Sequence, residues 1–240
     1  MTALVEGQGL LFLHGAGGGR LVWQHQVLAF PRAQAADLPG RAGDPPEGVD
    51  GYLDALRASL GIPRHGRGWI VAGHSLGGAM VLRWALRYPQ EVFALILVGT
   101  GARLRVGPAL LEGIRNGRAD AVDAFGAMWF APQAPARLKE KSLALLRSVP
   151  LPTLLADLEA ADRFDVMEEV GRIRQPTLVL CGGDDRLTPV RYSRYLHERI
   201  PGSDLVIVEG AGHMVMLEQP QATNAAIRRF LQRLDREARR

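Results

Sequence analysis

The chain of 240 residues contains a single cysteine, Cys181, so it can form neither an internal disulfide nor a cysteine-rich metal site. Aromatic residues make up only 6% of the chain, and no apolar run approaches the roughly 18 residues of a membrane span. The N-terminal segment MTALVEGQGLLFLHG has no basic cluster and carries an acid, unlike a secretory signal peptide. These absences predict a cytoplasmic protein without a membrane span.

Lysine is also scarce, since two lysines stand against 27 arginines. The net charge is +4, and the densest basic cluster is RRFLQRLDREARR at residues 228–240. No interleaved aromatic residues or nucleic-acid-binding motif accompany that charge. The cluster therefore indicates a solvent-exposed last helix, and we expect no nucleic-acid partner.

Apolar residues account for 47% of the chain, enough for one large core. Short apolar runs that end in glycine recur, and they are typical of strands buried on both faces of a parallel sheet. The runs are GLLFLHG (9–15), RGWIVAGHS (67–75), VFALILVGT (92–100), PTLVLCGGDD (176–185), SDLVIVEGAG (203–212) and the weaker RAQAADLPG (32–40).

Helical patterns separate these strands. They cover residues 49–60, 76–88, 190–199 and 219–234. Alternating strands and helices predict a doubly wound α/β sheet, in which functional groups gather at the carboxyl ends of the strands. The stretch from about 101 to 170 contains helical patterns and no convincing strand, so it is predicted to be a helical insertion.

The segment VAGHSLGGAM, residues 71–80, places Ser75 between Gly73 and Gly77. A serine directly after a buried strand and before a helix lies at a sharp turn that leaves no room for side chains two residues away. Such a turn presents the hydroxyl at the top of the sheet, which predicts a nucleophile. The alternative is a serine that only caps the helix.

A serine nucleophile needs a base and an acid that orients the base. His213 follows the last predicted strand, and Asp184 and Asp185 follow the strand before it. Developing negative charge on the substrate oxygen also needs backbone N–H donors. We assign these donors to Leu76, the residue after the nucleophile, and to Ala16 in the glycine-rich loop after the first strand.

Other residues near these motifs are weaker candidates for a functional role. His14 is expected to brace the glycine-rich loop through a backbone hydrogen bond, and His74 to point sideways from the turn. Several apolar residues are candidates for an acyl pocket, although such residues more often belong to the core. They are Met128, Trp129, Phe130, Met214 and Met216.

Five segments, LFLHGAGG, ADLPG, GHSLGG, PTLVLCGGDDRLTP and EGAGHMVMLEQP, are similar in order and spacing to landmarks of the α/β-hydrolase superfamily. The chain resembles its cap-bearing bacterial serine esterases over nearly its whole length. The resemblance implies an α/β-hydrolase fold with a mostly parallel sheet, a core of residues 1–100 and 171–240, and a helical cap of residues 101–170. It also implies that Asp185, four residues before Pro189, is the acid.

The sequence departs from that family in two places. Only nine residues precede LLFLHG, so the N-terminal edge of the sheet is expected to be shortened, and a homodimer could cover that edge. In DLPGRAGD, Arg41 stands where the family commonly has a histidine, with no evident consequence.

Together these features predict a serine hydrolase for carboxylic esters with short to medium acyl chains. Ser75 is the nucleophile, His213 the base and Asp185 the orienting acid, while Ala16 and Leu76 supply the oxyanion hole. The chemistry requires no metal and no organic cofactor. Two alternatives stay open: a C–C bond or lactone hydrolase that uses the same triad, and a hydrolase-like receptor for a small molecule.

Overall fold

A computed structural model of the protein describes residues 9–41, 43–60 and 68–238. All six predicted strands are present there and form one sheet in the order β2-β1-β3-β4-β5-β6, with every neighbouring pair parallel. The strands are β1 (Leu10–Leu13), β2 (Ala33–Ala36), β3 (Trp69–His74), β4 (Val92–Val98), β5 (Thr177–Gly182) and β6 (Asp204–Val208).

The four predicted helices also form, with ends that agree closely except at the C-terminus. There the helix continues to Ala238, because the charged residues after the last apolar position are good helix formers. The α-helices of the described residues are α1 (Gln24–Ala29), α2 (Gly48–Leu60), α3 (Leu76–Arg87), α4 (Pro108–Arg115), α5 (Ala119–Ala127), α6 (Ala136–Arg147), α7 (Leu151–Arg163), α8 (Val190–Arg199), α9 (Val215–Glu218) and α10 (Pro220–Ala238).

Both faces of the sheet are covered, which confirms the doubly wound arrangement. Leu10 and Phe12 of β1 belong to a core on one face, together with residues of α1's C-cap and α10. Leu11 and Leu13 belong to the core on the other face, together with residues of α2, α3 and α8. The alternation follows from the two-residue period of a strand.

The stretch between β4 and β5 is helical, as predicted, and consists mainly of α4–α7. One predicted helical piece divides into α4 and α5, because the chain turns at Gly117 with a φ of 69°. The two ends of the stretch meet, since Arg103 and Asp165 form an antiparallel bridge and the Val166 N–H donates to Ala102 O at 2.8 Å.

The edges of the described sheet are β2 and β6, and β2 pairs only with β1 within the described residues. The predicted shortening of the N-terminal edge depends on residues 1–8, which lie outside the described residues. None of the described helices combines the length and the apolar character that crossing a membrane requires.

Candidate active site

Ser75 lies between the end of β3 and the start of α3 in a strained backbone conformation. Its φ of 53° and ψ of −117° make it the one non-glycine residue of positive φ in the described part of the chain. Such conformations cost on the order of 1–3 kcal/mol and persist only where the surroundings enforce them. The Ser75 hydroxyl makes no capping hydrogen bond to α3, which disfavours the helix-cap alternative.

The two flanking glycines allow this turn. A Cβ atom on Gly73 would lie 2.2 Å from the carbonyl oxygen of Gly77. A Cβ atom on Gly77 would lie 2.5 Å from the carbonyl oxygen of Leu13 in β1. Backbone atoms cannot yield as a flexible side chain can, so both positions require glycine, for the reason that the spacing predicts.

His213 and Asp185 lie together in the loops after β6 and β5. The Nδ1 atom of His213 is 2.8 Å from Oδ2 of Asp185, and both side chains are buried. The other carboxylate oxygen, Oδ1, accepts the backbone N–H groups of Leu187 and Thr188, each at 2.9 Å. The Thr188 hydroxyl donates to Oδ2 at 2.8 Å. Asp185 is therefore held in one orientation from both sides.

These contacts keep Asp185 ionised. Burial alone raises the pKa of its carboxyl group, but electrostatic attraction to His213 and the hydrogen bonds from His213 and Thr188 outweigh burial. The pKa of Asp185 consequently lies below its usual range. Sequence reasoning overlooked Thr188. An aspartate side chain commonly accepts backbone N–H groups two or three residues further on, but no local pattern shows that the Thr188 hydroxyl also binds it.

Asp184, the rival for the acid position, has a different environment. It is exposed, and its Oδ2 atom accepts a hydrogen bond from Nε2 of Gln133 at 2.9 Å. The structure brings His213 to Asp185 and not to Asp184.

His74 and His14 are buried supports around the site. The Nε2 atom of His74 lies 3.0 Å from the carbonyl oxygen of His213 and donates to it, since a carbonyl only accepts. His14 donates from Nδ1 to Gly15 O at 2.8 Å, the predicted backbone contact, and accepts the Leu38 N–H at Nε2. Burial lowers the pKa of His14 to about 4 and that of His74 well below its usual value, so both rings are neutral.

Three of the five predicted site residues, Ala16, Ser75 and His213, line a small cavity at the carboxyl ends of β1, β3 and β6. It is lined by Gly15, Ala16, Gly18, Val22, His74, Ser75, Trp129, His213 and Met214. Leu76 directly follows Ser75 as the first residue of α3, where backbone N–H groups have no partner within the helix.

In the loop beside Ser75, neighbouring N–H groups are already used. The Gly17 N–H donates to Asp157 Oδ2 at 2.9 Å, and the Gly18 N–H donates to Gly15 O at 3.1 Å. No such hydrogen bond of the Ala16 N–H occurs within the described residues. This pattern favours Ala16 as the loop's donor to a bound oxyanion.

A second, larger cavity of about 520 Å³ adjoins the first and shares Gly18, Val22, Trp129 and Met214 with it. Among the predicted pocket residues, Trp129 and Met214 line these cavities, whereas Phe130 and Met216 are buried in the core. Sequence reasoning missed the other apolar residues of the lining, which are Leu21, Val22, Leu138, Leu145, Val149 and Leu217.

The loop that carries His213 is fastened to the helical stretch after β4. The Met214 N–H donates to Trp129 O at 2.9 Å, and the carboxylate of Glu218 accepts the N–H groups of Gly212 and Ala131. Burial raises the pKa of Glu218, against the effect of these hydrogen bonds. Within residues 9–41, 43–60 and 68–238, no group of three or more metal-ligating side chains forms a metal site.

Comparison with known proteins places this geometry in a family. A model of the alpha/beta hydrolase family matches residues 10–226, and the chain belongs to that family. A pimeloyl-[acyl-carrier protein] methyl ester esterase from Neisseria meningitidis serogroup A is 30% identical over 246 aligned residues, which cover 92% of this chain and 75% of that protein.

Solved structures agree with this assignment. A thermophilic esterase is 36% identical, with a TM-score of 0.80 over 93% of this chain and 89% of that one. A hydrolase from Pseudomonas aeruginosa is 26% identical, with a TM-score of 0.81 over 94% of this chain and 91% of that one. The predicted α/β-hydrolase fold is confirmed.

Proposed function

We propose that the protein is a serine hydrolase that cleaves carboxylic esters with short to medium acyl chains. One observation carries the proposal: strained Ser75 borders the same small cavity as His213, whose ring is held by the buried carboxylate of Asp185. The names of the relatives, two of which are called esterases, support the same class of reaction.

The reaction follows from the positions of these groups. His213 removes the hydroxyl proton as Ser75 Oγ attacks the ester carbonyl carbon, and Asp185 holds the Nδ1–H tautomer and stabilises the imidazolium. The N–H groups of Ala16 and Leu76 stabilise the tetrahedral oxyanion. His213 returns the proton to the leaving alcohol, and a water activated by His213 then releases the acid from the acyl-enzyme.

The larger cavity supports the choice of acyl chain. Its volume of about 520 Å³ suits a small organic ligand, and most of its lining side chains are apolar. Residues of α6, among them Leu138 and Leu145, form one wall. We therefore propose that residues 101–170 act as a cap over a core of residues 1–100 and 171–240.

The test is steady-state hydrolysis of p-nitrophenyl esters from acetate to laurate by the wild type and Ser75→Ala. We expect wild-type turnover with an optimum at short to medium chains, and a loss of about 10⁴-fold or more in kcat in the variant, because the nucleophile is gone. Ser59→Ala is the matched control, since Ser59 is exposed on α2 and its hydroxyl donates to Leu56 O of the same helix.

Other outcomes separate the alternatives. Activity that survives in Ser75→Ala would contradict the nucleophile assignment. A wild type that hydrolyses lactones or C–C bonds but no ester would keep the triad and change the substrate class. One stoichiometric release of p-nitrophenol without turnover would favour a receptor.

The location and the oligomeric state of the enzyme are also proposed, from its cysteine content and from the edge of its sheet. One buried cysteine suits a reducing compartment, which supports a cytoplasmic location. Within the described residues the outer edge of β2 has no partner strand, and a second copy of the chain would add to the sheet there. Sedimentation equilibrium tests this homodimer, and a mass of one chain at all concentrations would exclude it.

A further inference from the structure

A buried carboxylate outside the proposed triad joins the helical cap to the loop after β1. Asp157 lies on α7, its side chain has no solvent exposure, and it accepts hydrogen bonds from three separate segments. Its Oδ2 atom accepts the Gly17 N–H at 2.9 Å and Arg41 Nη2 at 2.7 Å. Its Oδ1 atom accepts the Tyr52 hydroxyl at 2.7 Å and Arg41 Nη1 at 3.2 Å.

The charge of this group is balanced by Arg41 alone among these donors. A buried carboxylate without a cation is costly, whereas a bidentate guanidinium with further hydrogen bonds compensates it. Arg41 also lies 3.4 Å from Gly18 O through both Nε and Nη2. Arg41, which stands where the family commonly has a histidine, therefore contacts both the glycine-rich loop and Asp157, the carboxylate that binds that loop.

The same face of α7 makes other contacts at this point. Thr153, one turn before Asp157, donates its hydroxyl to Gly40 O at 3.2 Å. Leu154 packs over Gly17, where a Cβ atom would lie 2.9 Å from the leucine Cδ1. Gly17 has a φ of 66°, which glycine permits but does not favour over other conformations. Contacts from outside the loop must therefore fix this conformation. The cap holds the loop from outside.

We propose that Asp157 is a positioning residue for the oxyanion hole and that Arg41 is its counter-ion. The carboxylate binds the Gly17 N–H and so fixes the orientation of the peptide group between Gly15 and Ala16. In that orientation the Ala16 N–H faces the cavity beside Ser75. Because Asp157 belongs to the cap, the oxyanion hole is complete only while α7 is seated on the core. This inference rests on the proposed ester hydrolysis.

The test replaces the ion pair by apolar groups of similar size in the double variant Arg41→Met/Asp157→Leu. Such replacements commonly keep a protein folded, whereas removal of one partner leaves a buried charge. We expect kcat to fall by about tenfold or more with little change in KM, since one oxyanion donor is worth about 10²–10³ in kcat. Arg57→Met/Glu91→Gln, which breaks an ion pair between α2 and the start of β4, is the matched control.

A second readout does not depend on activity. Amide hydrogen exchange of a peptide covering residues 14–20 should accelerate at least tenfold in Arg41→Met/Asp157→Leu, while peptides from β3 and α3 stay protected. The control pair should leave both kcat and this exchange unchanged.

The outcomes distinguish the two proposals. If the wild type hydrolyses esters and the double variant keeps its kcat and its slow exchange at residues 14–20, the positioning role is wrong and the proposed function stands. If the wild type hydrolyses no ester, the proposed function fails, and the exchange measurement alone decides whether Asp157 holds the loop.

Discussion

At the scale of single residues, the aspartate and the histidine of the proposed triad depend on neighbours that fix their positions. Thr188 and Leu187 hold Asp185, Asp185 holds His213, and His74 binds the backbone of His213. Asp185 and Asp184 are adjacent in sequence yet differ in burial and in partners. The role of a carboxylate is therefore decided by its surroundings and not by its type.

This difference predicts unequal effects of two identical substitutions. Asp185→Asn should lower kcat on the order of 10⁴-fold, because an amide at this position favours the wrong tautomer of His213. Asp184→Asn should leave kcat nearly unchanged, since that side chain is exposed and contacts Gln133. Steady-state kinetics of the two variants on one p-nitrophenyl ester provides the comparison. The reverse ranking would assign the acid role to Asp184.

At the scale of elements, the candidate site arises where parallel strands end at one edge of the sheet. The loops after β1, β3, β5 and β6 supply the oxyanion donor, the nucleophile, the acid and the base of the proposal. Close approach of these loops depends on glycine, as at the contact between α3 and β1. At Gly77 the intrinsic helix propensity favours alanine, whereas the close contact with β1 requires glycine.

The substitution Gly77→Ala tests whether helix propensity or the packing contact has the larger effect on stability. Helix propensity alone would favour alanine by up to about 1 kcal/mol. The added Cβ would lie 2.5 Å from Leu13 O, and overpacking of this kind costs about 1–3 kcal/mol. We therefore expect a lower free energy of unfolding in urea and a loss of hydrolysis.

The control is Gly43→Ala in the loop between β2 and α2, where an added Cβ meets no described atom within 4 Å. This variant should unfold at the wild-type urea concentration. A Gly77→Ala variant as stable as the wild type would show that the backbone of β1 can move away.

At the scale of the whole molecule, buried neutral histidines couple the fold to pH. In the folded state the pKa of His14 is about 4 and that of His74 is well below its usual value, because burial disfavours the charged ring. The unfolded chain takes up these protons near pH 6.5, so unfolding binds protons below that pH. Stability is fully present above pH 6.5 and falls as the pH drops towards 4.

Urea unfolding between pH 7.5 and 4.5 measures this loss, which for His14 alone is roughly 2.5 kcal/mol at pH 4.5. The raised pKa of Glu218 acts in the opposite direction, since its protonation in the fold adds stability as the pH falls. In His14→Gln, whose amide also carries a donor and an acceptor, the loss should be smaller. A pH dependence in His14→Gln equal to that of the wild type would rule out this coupling for His14.

Sequence patterns alone predicted the six strands, the main helices and the helical stretch between β4 and β5. Each depends on local periodicity and on glycine or proline at element ends, which short-range sterics control. The same holds for Gly73 and Gly77, because the turn at Ser75 is set within five residues. The apolar pattern ends at Leu234, whereas the last helix continues to Ala238, within the basic cluster that was predicted to belong to it.

The chain itself determined the fold class and the order in which serine, aspartate and histidine follow successive strands. Only the tertiary structure decided which apolar side chains line the larger cavity and what holds the loop at Gly17. Asp157 is 140 residues from Gly17 and 105 from Tyr52. The hydrogen-bond donors to a buried carboxylate come from the distant segments that pack against it, and no local sequence pattern specifies those segments.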